Sequence, residues 1–129
     1  MKRYIFIFVM TLLLVACGGK RDQGADAAKA AKSYYDALLG GAYEQFVDAT
    51  YHNHWVPGSY RQQLVENAKQ FADTQKKSHG SVNSVRIVNS KFNETDSTAE
   101  VFLMLCFGDS TNEEVVVPMR MHNGQWLMR

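Results

Sequence analysis

The densest group of side chains that could do chemistry lies between Asp48 and Trp55, a segment that reads DATYHNHW. Asp48 and His52 are four residues apart, so they can form a carboxylate–imidazole pair if a helix continues through both. Such a pair could serve as a general base and its orienting partner. A surface loop whose aromatic side chains cover the end of the core fits the same residues. Asp48 and His52 are therefore alternative catalytic candidates in a chain that shows no convincing catalytic set.

Metal binding is the second chemistry that this segment could support. His52 and His54 are two residues apart, so both could face one metal ion in an extended chain. A site would need at least a third ligand, and neither His79 nor His122 stands in a recognisable metal-binding motif. We therefore predict no metal site and no cofactor.

Aromatic side chains with polar tips suggest a binding pocket. Tyr35, Tyr51, His54 and Trp55 are the candidate pocket residues, since such side chains suit a small amphipathic ligand. Tyr34 and Tyr35 also stand at helical spacing, which fits a role in the core.

The first sixteen residues have the pattern of an export signal. Lys2 and Arg3 precede an apolar run from Tyr4 to Ala16 that only Thr11 interrupts. A spanning helix needs about 20 apolar residues, and this run is shorter. Residues 1–16 are therefore predicted to be a signal peptide.

The end of this run, Leu14-Val15-Ala16-Cys17, resembles the lipobox of bacterial lipoproteins. The resemblance implies a diacylglycerol on the Cys17 thiol, cleavage after Ala16 and a further acyl chain, such as palmitate, on the new amino group. Two or more acyl chains make a stable membrane anchor. It also implies a bacterial envelope location, with the outer membrane preferred because Gly18 is not the acidic residue that retains some lipoproteins on the inner membrane. The alternative is an ordinary secretory signal with a chance cysteine.

The composition of the mature chain excludes some partners. Loss of Lys2 and Arg3 lowers the count of Lys and Arg from 14 to 12, against 13 Asp and Glu. A near-neutral chain without a basic stripe argues against nucleic acid as a partner. With Cys17 lipidated, Cys106 has no partner for an internal disulfide, and we expect it to be a buried, small apolar residue.

Residues 17–25 are small and polar and are expected to form a tether, and residues 26–129 to form one domain. Three helices are predicted first. Asp26 caps a helix that ends at Leu39, a short helix covers 42–50, and Ser59 with Gln62 has the spacing of a capping box for a third helix that ends before Gly80.

After Gly80 the apolar period changes from helical to extended. Strands are predicted over 82–92, 98–107, 113–121 and 125–129. Asn123-Gly124 favours a tight hairpin turn, so neighbouring strands should pair in an antiparallel meander. The prediction is an α+β domain with three N-terminal helices packed on a curved four-stranded sheet.

This element order, with the ending Asn123-Gly124-Gln125-Trp126-Leu127, resembles the nuclear transport factor 2-like superfamily, also called cystatin-like or SnoaL-like. The combination with a lipobox is similar to small envelope lipoproteins. The resemblance implies a cone-shaped fold whose sheet curls around the first helix, with a pocket at the open end. Members include isomerases, cyclases and binding modules, so the fold does not settle the function.

The run from Val101 to Phe107 is apolar on both faces of a strand and contains no acid or base. This favours a non-catalytic domain that binds a small apolar or amphipathic ligand or a protein partner, and it is compatible with a homodimer through the sheet face. The alternatives are an isomerase- or cyclase-type enzyme that uses Asp48 and His52, and a purely structural assembly module.

Overall fold

The computed structural model describes residues 22–52 and 55–129. The predicted signal peptide, the lipobox with Cys17, and His54 lie outside these residues. The helices are α1 (Gln23–Leu39), α2 (Tyr43–Asp48) and α3 (Gly58–His79), and the strands are β1 (Val82–Asn93), β2 (Thr98–Phe107), β3 (Asn112–His122) and β4 (Gln125–Met128). The strands form one antiparallel sheet in the order β1-β2-β3-β4, which confirms the predicted α+β class. No helix within the described ranges has the length and apolar character that a membrane crossing requires.

Helix α1 begins earlier than its sequence suggests. Asp22 caps it and accepts a hydrogen bond of 3.1 Å from the backbone of Ala25, so the predicted cap, Asp26, is wrong. Asp26 lies instead in the first turn, where a negative charge suits the positive end of the helix dipole. Gly24 is buried, and a Cβ atom there would lie 3.0 Å from Ser90 Oγ. Residues 23–25 of the predicted tether therefore belong to the packed domain.

Helix α3 begins one residue before the predicted capping residue. Pro57 occupies the N-cap position with φ −60° and ψ 149°, and it makes no side-chain capping bond. Ser59 therefore lies inside the first turn of α3. Because a capping side chain must precede that turn, the capping box predicted for Ser59 and Gln62 is wrong.

The two faces of the sheet differ in burial, and the alternate residues of strand β2 show this difference. Its buried residues, which face α1 and form the centre of the core, are Ala99, Val101, Leu103, Leu105 and Phe107. The alternate residues Phe102, Met104 and Cys106 are only half-buried. Cys106 thus lies on the outer face, and its predicted full burial is wrong, because the period of the strand points it away from Leu105 and the core.

The sheet is curled around α1, as predicted. The rings of Phe92 on β1 and Trp126 on β4 meet edge to face, with centroids 6.0 Å apart. Neighbouring strands lie about 4.8 Å apart, so a flat sheet would separate β1 from β4 by roughly 14 Å. Register shifts in β1, between Val82 and Ser84 and between Ile87 and Asn89, favour this bend.

Helix α3 packs against α1 and α2 rather than onto the sheet. Of the apolar stripe along α3, only Ala68 is buried. Leu64, Val65 and Phe71 of the same stripe are half-buried. The exposed part of this stripe forms one side of the groove described below.

Candidate functional site

An apolar groove of about 470 Å³ lies between the three helices. Its floor is formed by one residue from each helix, Leu38 of α1, Val47 of α2 and Ala68 of α3, which are 2%, 6% and 8% exposed. These three residues form a small apolar cluster of their own beside the main core. The floor is therefore apolar and fixed by helix packing.

Aromatic and aliphatic side chains form the walls of the groove. Tyr35 of α1 and Phe46 of α2 meet edge to face, with ring centroids 5.4 Å apart and an interplanar angle of 87°. Leu64 and Phe71 of α3 form the opposite wall. Burial raises the pKa of the Tyr35 phenol, which keeps this hydroxyl neutral and able to donate a hydrogen bond.

Besides Tyr35, four side chains supply polar groups to the lining. Thr50 and His52 come from the segment after α2, and Tyr60 and Asn67 come from α3. Hydroxyl, imidazole and amide groups can each donate or accept hydrogen bonds. The groove can therefore hold an apolar body and orient a polar group. The sequence pattern missed Phe46, Leu64 and Phe71 as lining residues, because an apolar helical stripe predicts burial without showing which element covers it.

Asp48 forms an ion pair outside the groove lining. Arg61 of α3 donates from Nε to Oδ1 at 2.9 Å and from Nη2 to Oδ2 at 2.8 Å. These hydrogen bonds lower the pKa of the Asp48 carboxyl below its ordinary value. Helix α2 ends at Asp48, so the helical spacing predicted to pair Asp48 with His52 is not formed. A strongly paired carboxylate is a weak general base.

Tyr51 and Trp55, both predicted as pocket residues, lie outside the groove lining. The backbone N–H of Tyr51 donates to the carbonyl of Met128 at 2.6 Å, which holds this segment along β4. The Tyr51 ring packs under the Arg120 guanidinium at 4.5 Å and against the His122 ring at 5.0 Å. Trp55 is 81% exposed. Of the predicted pocket residues that the structure describes, Tyr35 lines the groove.

A histidine cluster joins the end of α3 to the turn between β2 and β3. His79 Nδ1 lies 3.1 Å from Thr111 Oγ1 and 3.4 Å from Asp109 Oδ2. The hydrogen bond from the Thr111 side chain lowers the pKa of the Asp109 carboxyl. A catalytic relay needs its two partners at opposite ring nitrogens, whereas here both approach Nδ1. We therefore interpret this cluster as structural, since it connects the end of α3 to the turn between β2 and β3. Within residues 22–52 and 55–129, no three His, Cys, Asp or Glu side chains are placed to hold a metal ion.

The chain matches no family model and no curated protein. Among solved structures it is similar to an NTF2-like (nuclear transport factor 2-like) transpeptidase from Campylobacter jejuni, with a TM-score of 0.63, 16% sequence identity, and coverage of 76% of this chain and 92% of that chain. The fold is NTF2-like. At this identity the likeness establishes the fold alone.

Two further structures give weaker similarity to this NTF2-like domain. A SEC-C motif-containing protein from Rhodopseudomonas palustris has a TM-score of 0.49 at 15% identity, covering 74% of this chain and 69% of that chain. A DUF4783 family protein from Bacteroides ovatus has a TM-score of 0.47 at 13% identity, covering 71% and 82%.

The groove occupies an unexpected place in this NTF2-like domain. The resemblance implied a pocket between the curled sheet and the helices. Ala27, Ala28 and Ala31 of α1 pack into the buried face of the sheet, at 0–2% exposure. The groove lies on the other side of α1, and no residue of β1–β4 is among its described lining residues. The candidate site is therefore a helical groove outside the cone.

Proposed function

We propose that this chain is a lipid-anchored protein of the bacterial envelope whose NTF2-like domain binds a small amphipathic ligand in the helical groove, without catalysis. The observation that carries the proposal is the groove itself, with about 470 Å³ of space, an apolar floor and aromatic walls. Ligand pockets have volumes of roughly 300–1,000 Å³ and combine apolar walls with a few polar groups.

The lining favours an uncharged or weakly charged ligand. Among the described lining residues only His52 and the tyrosines can ionise, and Tyr35 stays neutral because burial raises its pKa. A strongly charged ligand would have to give up its hydration without an opposing charge in the groove. The preferred ligand has an apolar body that contacts Tyr35 and Phe71 and one hydrogen-bonding group that contacts the polar side chains.

The state of Asp48 supports a binding role over an enzymatic one. The alternative enzyme would need Asp48 as a base of tuned pKa beside His52. The two hydrogen bonds from Arg61 lower the pKa of Asp48, which moves it away from the range that suits a base at neutral pH.

The anchor is supported by the residues before the domain. A positive start, an apolar run and Leu14-Val15-Ala16-Cys17 form one consistent export and lipidation pattern. Replacement of Cys17 by serine in cells should leave an unprocessed precursor without the diacylglycerol group. The anchor proposal is wrong if this variant matures to the wild-type size and stays with the membranes.

Ligand binding can be tested with N-phenyl-1-naphthylamine, an uncharged fluorescent probe that has an apolar body and one N–H donor. We expect Tyr35→Ala to weaken probe binding by roughly tenfold, about 1.4 kcal/mol, because it removes one wall of the groove. Ala68→Phe should abolish binding because the new ring occupies the floor. Trp55→Ala is the matched control, since Trp55 is exposed and outside the lining. Unchanged affinity in both groove variants, with wild-type circular dichroism, would exclude the groove as the binding site.

A further inference from the structure

The helical groove is elongated along α3. The described lining residues from this helix share one face at helical spacing, and they are Tyr60, Leu64, Asn67, Ala68 and Phe71. At a rise of 1.5 Å per residue, the distance along the helix from Tyr60 to Phe71 is about 16 Å. Spread over that length, the volume of about 470 Å³ gives a mean cross-section of roughly 30 Å². The groove therefore suits a long, narrow ligand better than a compact one of the same volume.

The polar groups of the lining gather at the end of the groove where α3 begins. Arg61, in the first turns of α3, binds Asp48, the last residue of α2, so the segment that follows α2 lies beside the start of α3. Thr50 and His52 come from that segment, and Tyr60 precedes Arg61 on α3. Hydroxyl and imidazole groups from both sides of the groove therefore meet at this end.

The opposite end, toward the C-terminus of α3, is apolar among the described lining residues. Phe71 is the last α3 residue of the lining, and Leu38 of α1 packs with Ala68 in the floor. Asn67 lies between the two ends, but it is exposed, and its amide oxygen already accepts a hydrogen bond of 3.0 Å from Gln63. Polarity therefore falls along the groove from the start of α3 toward Phe71.

We propose that the ligand is a single unbranched alkyl chain with one uncharged hydrogen-bonding head, which lies beside Tyr60 while the tail points toward Phe71. This inference rests on the proposed function and names the ligand class of the same groove. Carbon–carbon bonds of about 1.5 Å at roughly 111° advance an extended chain by about 1.25 Å each, so a primary alcohol of about twelve carbons fills the length of the groove.

The charges beside the polar end favour an uncharged head. Arg61 is bound by both carboxylate oxygens of Asp48 and is approached by Glu44 at 3.9 Å. A carboxylate head would lose its hydration without gaining Arg61 as a counter-charge. A hydroxyl head, in contrast, can exchange hydrogen bonds with the hydroxyl groups of Thr50 and Tyr60.

Photolabelling of the full-length chain in its membranes tests the direction and the length of the ligand. The probes are two dodecanols, one with a diazirine beside the hydroxyl group and one with a diazirine near the methyl end, and an octanol with its diazirine near the methyl end. After irradiation, mass spectrometry locates the labelled residues. We expect the first dodecanol to label the polar end, at Thr50 and Tyr60, and the second to label Phe71. The shorter octanol should label the middle of the groove, at Leu64 and Ala68.

Variants at the two ends of the groove should act differently on these probes. Thr50→Val removes a hydroxyl group with little change in shape, so labelling by all three probes should fall about fivefold. Tyr60→Phe, at a more exposed position, should act in the same way. Phe71→Trp fills the apolar end and should lower labelling by the dodecanols about fivefold while that by the octanol stays unchanged, which also shows that this variant folds. Thr74→Val, on the exposed surface of α3, is the matched control and should be labelled like the wild type.

The inference is overturned if both dodecanols label the same residues, if the order of the labels is reversed, or if Phe71→Trp weakens octanol and dodecanol labelling equally. Absence of alkyl labels from the groove, together with groove-dependent binding of N-phenyl-1-naphthylamine, would contradict this ligand class alone and leave the proposed function standing. Unchanged affinity for N-phenyl-1-naphthylamine in Tyr35→Ala and Ala68→Phe would instead contradict the proposed function itself.

Discussion

Arg61 binds both carboxylate oxygens of Asp48, at 2.9 and 2.8 Å, and this pair connects the two helices that form the groove on either side of its floor. Asp48 is the last residue of α2, and Arg61 lies in the first turns of α3. Glu44 of α2 approaches the same guanidinium at 3.9 Å. Since α3 has few contacts with the sheet, this cluster helps to set the width of the groove.

The first prediction concerns pH. The hydrogen bonds from Arg61 lower the pKa of Asp48 in the folded protein, so the pair contributes stability at pH values above the unfolded-state pKa of about 3.9. That contribution is lost as the pH falls through the lower folded-state value. Urea unfolding should show Asp48→Asn less stable than the wild type at pH 7, with the difference disappearing in acid. Gln62→Ala, on the exposed surface of α3, removes no ionisable group and should show no such convergence.

The second prediction concerns the bond between α1 and the last strand. The Tyr34 hydroxyl donates to the carbonyl of Trp126 at 2.5 Å across 92 residues of sequence. Tyr34→Phe removes this donor with little change in shape and should lower the free energy of unfolding by about 1 kcal/mol. Chemical denaturation measures this directly. A value indistinguishable from the wild type would show that water replaces the hydroxyl without loss.

The third prediction separates the two faces of β2. Leu103 is fully buried against α1, so Leu103→Ala should cost about 2–5 kcal/mol through lost burial and the cavity that remains. Its neighbour Met104 is half-buried on the outer face, and Met104→Ala should cost the monomer less than about 1.5 kcal/mol. Equal losses of unfolding free energy would contradict the assignment of the two faces.

The order of elements was predictable because the period of the apolar residues changes once, at Gly80. The start of α1 was not. Gly24 follows Gln23 in a stretch that resembles a flexible tether, and glycine disfavours helices. Its use becomes clear only in the tertiary structure, where a Cβ at Gly24 would lie 3.0 Å from Ser90 Oγ and 3.3 Å from Asp22 Oδ1, closer than an ordinary contact. Asp22 was therefore overlooked as the cap.

The candidate site was less predictable than the fold. Tyr35 was identified because an aromatic ring with a polar tip suits a pocket, yet its partner Phe46 and the wall from α3 depend on how three helices pack. Trp55 has the same chemical type and is exposed. Residue type alone does not distinguish these two environments, because the packing around each ring decides whether it is covered.

The last prediction concerns the turn between β3 and β4. Asn123 and Gly124 have φ angles of 51° and 78°, and the flanking residues His122 and Gln125 pair directly, which is the two-residue hairpin that the sequence predicted. A Cβ at Gly124 would meet no atom within 4 Å, so only the left-handed backbone opposes a side chain there. Gly124→Ala should therefore lower the free energy of unfolding by roughly 1–2 kcal/mol.

Gly58 provides the matched control, because it also has open space around its Cβ position but begins α3 without a positive φ. Gly58→Ala should leave the stability unchanged or raise it by about 0.4–1 kcal/mol, since alanine restricts the unfolded chain. Thermal and urea unfolding of the two variants should move in opposite directions or differ by more than about 1 kcal/mol. If both variants lose stability equally, crowding rather than backbone conformation would be the cause, and the assigned turn geometry would be wrong.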